Sequence, residues 1–135
     1  MSETPPAGLL DTSVFIATET GRQLEESLIP AEVATTVITL GELTAGVLAA
    51  TTSDTRAQRL ATLESVADME MLPVDEEAAR VWARLRIHLA ETGRRVRIND
   101  LWIAAIAASR TLPVITQDDD FAALDGARGL TIIKV

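Results

Sequence analysis

Short apolar runs alternate with stretches of helical composition along the whole chain. GLLDTSVF, residues 8–15, carries Leu, Val and Phe over a length suited to a buried strand that ends at Asp11. A polar stretch from Glu19 to Glu26 predicts a short helix, and the β-branched AEVATTVIT, 31–39, a second strand. Leu40–Ala50 and Asp54–Ala67 are rich in good helix formers and broken by TTSD, which reads as a helical hairpin. MEMLPV supplies a third strand. Asp75, Glu76 and Glu77 load the first turn of a long helix that runs to about Thr92 and stops at Gly93. The RRVR segment leads to an alanine-rich helix capped by Asn99 or Asp100 and ending near Arg110. PVIT is a strand, DDDFAAL a turn with a short helix, and LTIIKV the closing strand. This alternation predicts an α/β fold of three layers, α/β/α, around a central, mainly parallel sheet.

A length of 135 residues fits one domain, spanning 1–135, with enough chain to bury a core unaided. The chain has no cysteine, which removes thiolate chemistry and disulfides and makes the cytoplasm the default location. MSETPPAG lacks a basic, apolar leader pattern, and no apolar run reaches membrane-spanning length. The formal net charge of −8 argues against a surface that grips nucleic acid everywhere. Charge placement qualifies this, because six of the 12 basic residues (Arg80, Arg84, Arg86, Arg94, Arg95 and Arg97) lie immediately before Asp100. Such an edge can hold a polyanion or can be a solvated helix face.

Four acids sit after apolar runs or at helix starts: Asp11 in LLDTSVF, Glu42 in TLGEL, Asp100 in INDLWIAAIAA and Asp118 in VITQDDDF. Taken singly, each has a local explanation as a cap or first-turn acid; Thr39 and Glu42 have capping-box spacing. Parallel strands would bring all four to the carboxyl edge of the sheet, where open α/β folds bind ligands. Carboxylates crowded there call for a hard divalent cation, Mg²⁺ or Mn²⁺. Phosphodiester hydrolysis by a metal-activated water suits such a cluster. Asp120 reads as an auxiliary ligand, and Ser13 and Thr116 as hydroxyls supporting the carboxylates. His88 reads as a surface residue. Trp82 and Trp102 read as core or subunit-contact residues, and no phosphate-binding glycine loop is present.

LLDTSVFIA, TLGEL, INDLWIAAIAA and VITQDDDF together resemble the PIN-domain family, and within it the VapC-type toxins of bacterial toxin–antitoxin pairs. The resemblance spans nearly the whole chain. It implies a Mg²⁺- or Mn²⁺-dependent endoribonuclease toxin, a homodimer, and inhibition by a cognate small basic antitoxin of VapB type. It also implies Asp11, Glu42, Asp100 and Asp118 as catalytic, metal-binding acids, with Asp120 auxiliary, and RNA as substrate. Asp118 stands where the family often has Asn. The arginines, Arg94, Arg95 and Arg97 foremost, are assigned to the RNA backbone. Three other readings stay open: a receiver-like signalling module using Lys134, a structure-specific DNA nuclease, and a catalytically idle interaction domain.

Overall fold

Both faces of the strands are apolar because both are covered. The computed structural model describes residues 4–135; the first three residues of MSETPPAG, read as carrying no leader, lie outside the described residues. The strands are β1 (Ala7–Leu10), β2 (Glu32–Thr36), β3 (Glu70–Leu72), β4 (Val114–Thr116) and β5 (Ile132–Lys134). They form one sheet in the order β3-β2-β1-β4-β5, and every pairing is parallel. Leu9 pairs with Ala34 on one side and Val114 on the other. The chain moves outward from β1 to β3 and then returns to β4 on the far side of β1. Such a reversal opens a crevice at the carboxyl ends of the two central strands.

Among the described residues five α-helices complete the layers: α1 (Thr12–Glu19), α2 (Val37–Ala49), α3 (Ser53–Ser65), α4 (Glu76–Thr92) and α5 (Ile98–Ser109). Alternation along the strands sends Leu9 and Val114 into a core with Leu85, Leu89, Ile103 and Ile106 of α4 and α5. Leu10 and Ile115 enter a second core with Val14, Phe15 and Leu43 of α1 and α2. The three-layer parallel arrangement read from the sequence is therefore the one observed. Gly8 is needed for close approach, since a Cβ there would lie 2.9 Å from Ile115 Cγ1 and 3.0 Å from Pro30 Cγ.

Several boundaries differ from the sequence reading. The apolar run 8–15 is a strand followed directly by a helix, with Asp11 extended between them at φ −83° and ψ 175°. The run stays apolar past the strand because Val14, Phe15 and Ala17 are the buried face of α1. The polar stretch 19–26 forms no such helix; only a 3₁₀ turn follows, at Glu26–Leu28. The second strand stops at Thr36, whose hydroxyl caps α2 by accepting from the Thr39 amide at 3.1 Å. Glu42 therefore lies in the second turn of α2, so it does not open that helix, and the capping-box explanation with Thr39 falls away. Helix α5 begins at Ile98 with Arg97 at its cap, leaving Asp100 in the first turn and not at the cap. The long helix α4 has the extent read from the sequence and ends at Gly93 at φ +67°, but Asp75, read as a first-turn acid, is its N-cap and accepts from the Ala78 amide at 2.9 Å. Among the described residues, no helix is long and apolar enough to cross a membrane.

Candidate active site

Asp11 is the centre of the crevice. It follows β1, the middle strand, and is only 2% exposed. Two hydroxyls hold its carboxylate: Ser13 Oγ donates to Oδ1 at 2.7 Å, and Thr116 Oγ1 to Oδ2 at 3.0 Å. Those hydroxyls lie 3.1 Å apart, and Ser13 Oγ also accepts from the Gln117 amide at 2.9 Å. The ends of β1 and β4 are thus tied together by the side chains that orient Asp11. Burial pushes the Asp11 carboxyl up from 3.8 to about 7, against the lowering effect of the Ser13 and Thr116 bonds, with the charges of Asp118 and Asp100 adding to the rise.

The other acids reach the crevice from three elements. Asp118 follows β4 at 3.4 Å from Thr116 Oγ1, and its Oδ1 accepts from the Asp120 amide at 3.1 Å. Asp100 points in from the first turn of α5. Burial raises its carboxyl from 3.8 to about 6, with further upward contributions from Asp120, Glu42 and Asp118 and an opposing one from Arg97. Glu42 reaches in from α2, where its Oε1 accepts from Thr12 Oγ1 at 2.8 Å. The mutual effects of Asp11, Asp100, Asp118, Asp120 and Glu42 place all five in one electrostatic neighbourhood.

Thr12 was missed in the sequence reading. Its hydroxyl joins Glu42 to the buried Thr39 hydroxyl, 3.0 Å away, and so sets the position of Glu42 from the residue next to Asp11. The only hint in the sequence is that a hydroxyl residue flanks an acid at a strand end. Two arginines assigned to RNA, Arg94 and Arg95, line a cleft of about 270 Å³ with Asp119 and Asp120. Arg97 lines the same cleft but holds its guanidinium on the acids: it pairs with Asp120, and its Nε lies 3.8 Å from Asp100 Oδ2. Lys134, which a receiver-like site would use, pairs with Asp119 at 2.8 Å. His88, read as surface, is half-buried on α4. Trp82 and Trp102 stack on each other between α4 and α5, centroids 4.9 Å apart, with the Arg86 guanidinium 5.4 Å from the Trp82 ring.

The donor set is all oxygen, with no sulfur or imidazole ligand in it, and it carries an excess of negative charge; both properties fit a hard divalent cation. No three acidic, His or Cys side chains close on a single point among the described residues. An ion here would take one or two carboxylates directly and the rest through water, the usual habit of Mg²⁺.

A buried acid at the switch point of a parallel sheet, with further acids around it, defines an open α/β domain with an acidic site at its carboxyl edge. The chain belongs to the PIN domain family, whose model matches residues 8–127. Among its relatives it is 80% identical over 135 residues, the whole of both chains, to Ribonuclease VapC5 of Mycobacterium tuberculosis. It is 40% identical over 124 residues to Ribonuclease VapC4 of the same organism, covering 92% of this chain and 95% of that one. Its fold matches a crystal structure of a member of the VapBC family of toxin–antitoxin systems, VapBC-5, from Mycobacterium tuberculosis. The TM-score is 0.92 at 77% identity, over 97% of this chain and 100% of that chain.

Proposed function

We propose that this chain is a VapC-type ribonuclease toxin of a type II toxin–antitoxin pair, and that it cleaves RNA phosphodiester bonds endonucleolytically with Mg²⁺ or Mn²⁺. The observation that carries the metal-dependent reading is the buried Asp11 carboxyl, held by two hydroxyls in the field of Asp118 and Asp100, with Asp100 in turn in the field of Glu42 and Asp120. The names of its VapC relatives support ribonuclease chemistry over the receiver-like, DNA-nuclease and idle readings. The sheet spanning Ala7 to Lys134 supports a single nuclease domain.

In this reading Asp11 and Asp100 are the principal metal-binding acids, and Glu42 and Asp118 hold a second ion or orient the attacking water. A bound divalent ion would supply an acidified water and offset charge on the phosphate. Ser13 and Thr116 fix the rotamer of Asp11 through one bond to each of its oxygens. Thr12 does the same for Glu42. Asp120 remains auxiliary, through its amide bond to Asp118 and its charge beside Asp100. Arg94 and Arg95 steer the RNA backbone along the adjoining cleft, where their charge offsets the acidic surroundings that would repel phosphate.

The same reading includes a small basic antitoxin as partner and a cytoplasmic homodimer. Support for the antitoxin comes from the VapBC-5 match, from the net charge of −8 and from a groove of about 700 Å³ bordered by Leu10, Val14, Phe15, Ile29 and Met69, which can take apolar side chains. Light scattering of the free protein, and copurification with a small basic neighbour, check the two assemblies. For the activity, labelled single-stranded RNA should be cut in Mg²⁺ or Mn²⁺ and spared in chelator, with unlabelled DNA competing poorly. Asp11→Asn and Asp100→Asn should each abolish cleavage while remaining folded. Undiminished metal-dependent cutting by either variant would refute the assignment.

A further inference from the structure

Arg97 stands where simple electrostatics would not place a cation. It occupies the cap of α5, the positive end of that helix dipole, which favours acids. Its guanidinium nevertheless spans two acids from separate elements, Asp120 after β4 and Asp100 on α5. The acids themselves explain the location: their combined charge outweighs the dipole. Nothing traps the side chain there. It is 77% exposed, against 36% for Asp120 and 16% for Asp100, and among the described residues its ion pairs are with those two acids. Arg97 and Asp120 line the same cleft as Arg94, Arg95 and Asp119, so the guanidinium already stands beside the two other arginines.

We propose that Arg97 is a displaceable counter-ion: it neutralises Asp100 and Asp120 while no divalent ion is bound, and with those acids engaged by an ion its guanidinium would be released to meet an RNA phosphate in the cleft it shares with Arg94 and Arg95. This inference rests on the metal-site reading above. A cation and a guanidinium compete for the same carboxylate oxygens, so each weakens the other's hold. The exchange would couple metal loading to substrate grip, because the arginine becomes available to phosphate only once the acids have another partner.

The test is calorimetric titration of Mn²⁺ into RNA-free protein, for the wild type and for Arg97→Gln, Arg97→Lys, Arg95→Gln and Asp100→Asn. Removing the competitor should tighten Mn²⁺ binding about threefold in Arg97→Gln, the scale of one exposed charge pair. Arg97→Lys, which keeps the charge but loses the two-acid span, should fall between. Arg95→Gln removes an equal charge from the cleft without freeing the acids, and should change affinity distinctly less. Equal Mn²⁺ binding by wild type and Arg97→Gln, or equal tightening by Arg97→Gln and Arg95→Gln, overturns the proposal while leaving the metal site standing. Unchanged Mn²⁺ binding by Asp100→Asn overturns the site and the inference together. A manganese-bound crystal with the guanidinium still on Asp120 and Asp100 would also overturn it.

Discussion

Asp11→Asn should make the metal-free protein more stable at pH 8 while removing its activity. Asp11 is 2% exposed and its carboxyl is pushed from 3.8 up to about 7, chiefly by burial. The folded state therefore holds a proton there that the unfolded chain gives up above its ordinary value. For a group raised in this way, stability is fully present below pH 3.8 and is lost as pH climbs through about 7. A rise of that size corresponds to about 4 kcal/mol as a ceiling. Asparagine carries no charge to bury, but its amide offers a single acceptor oxygen to the Ser13 and Thr116 hydroxyls, where the carboxylate offers two. Losing one such bond costs about 1–3 kcal/mol, so we expect a net gain of about 1–3 kcal/mol at pH 8. The assay is urea unfolding in chelator at pH 4 and pH 8, for wild type and variant. At pH 4, where wild-type Asp11 is protonated in the folded protein, the burial gain is gone and the lost bond remains, so the variant should be the less stable by about 1–3 kcal/mol. A variant no more stable than wild type at pH 8, or equally favoured at both pH values, would show that burial of this carboxyl is not the source of strain.

Divalent ions should raise the thermal midpoint more at pH 8 than at pH 5, because an ion must displace protons from Asp11 and Asp100, whose carboxyls titrate near 7 and 6. Scanning calorimetry with and without Mn²⁺ checks this, and a midpoint insensitive to Mn²⁺ at both pH values would count against the site. Thr12→Val should cost about 1–2 kcal/mol by leaving the buried Thr39 hydroxyl without its partner. It should also slow RNA cleavage by about tenfold through loss of the Glu42 anchor, with Thr12→Ser restoring both; full activity in the valine variant would remove Thr12 from the site. Gly8→Ala should destabilise by about 1–3 kcal/mol, since the new methyl group meets Ile115 at 2.9 Å. Chemical denaturation reads that loss, and unchanged stability would mean the strands part easily.

Much of the architecture was legible in the residues themselves. Short β-branched runs punctuated by helix-forming stretches allow few arrangements other than a parallel sheet with covered faces, and the acids after those runs were thereby directed to one edge. Asp75 and Gly93 marked the ends of α4 through local chemistry, since an N-cap oxygen and a left-handed glycine act within a few residues. Boundaries failed where tertiary packing extended an apolar pattern beyond its strand. Val14 and Phe15 continue the hydrophobic run of β1 because α1 lies against the sheet, and Ile38, packed against the core from α2, does the same after β2.

The site divides in the same way. Sequence order and strand periodicity pointed to Asp11, Asp100 and Asp118, because position after a parallel strand or at a helix start is a local property, whereas Glu42, in the second turn of α2, was singled out on a helix start that the fold moved. Only the folded chain decided that Asp11 is buried and raised in pKa, that Thr12 holds Glu42, and that Arg97 faces acids. Those facts depend on contacts between residues up to 105 positions apart, as in the Thr116–Asp11 bond. Desolvation and charge–charge interaction act through space, and no local pattern along the chain records them.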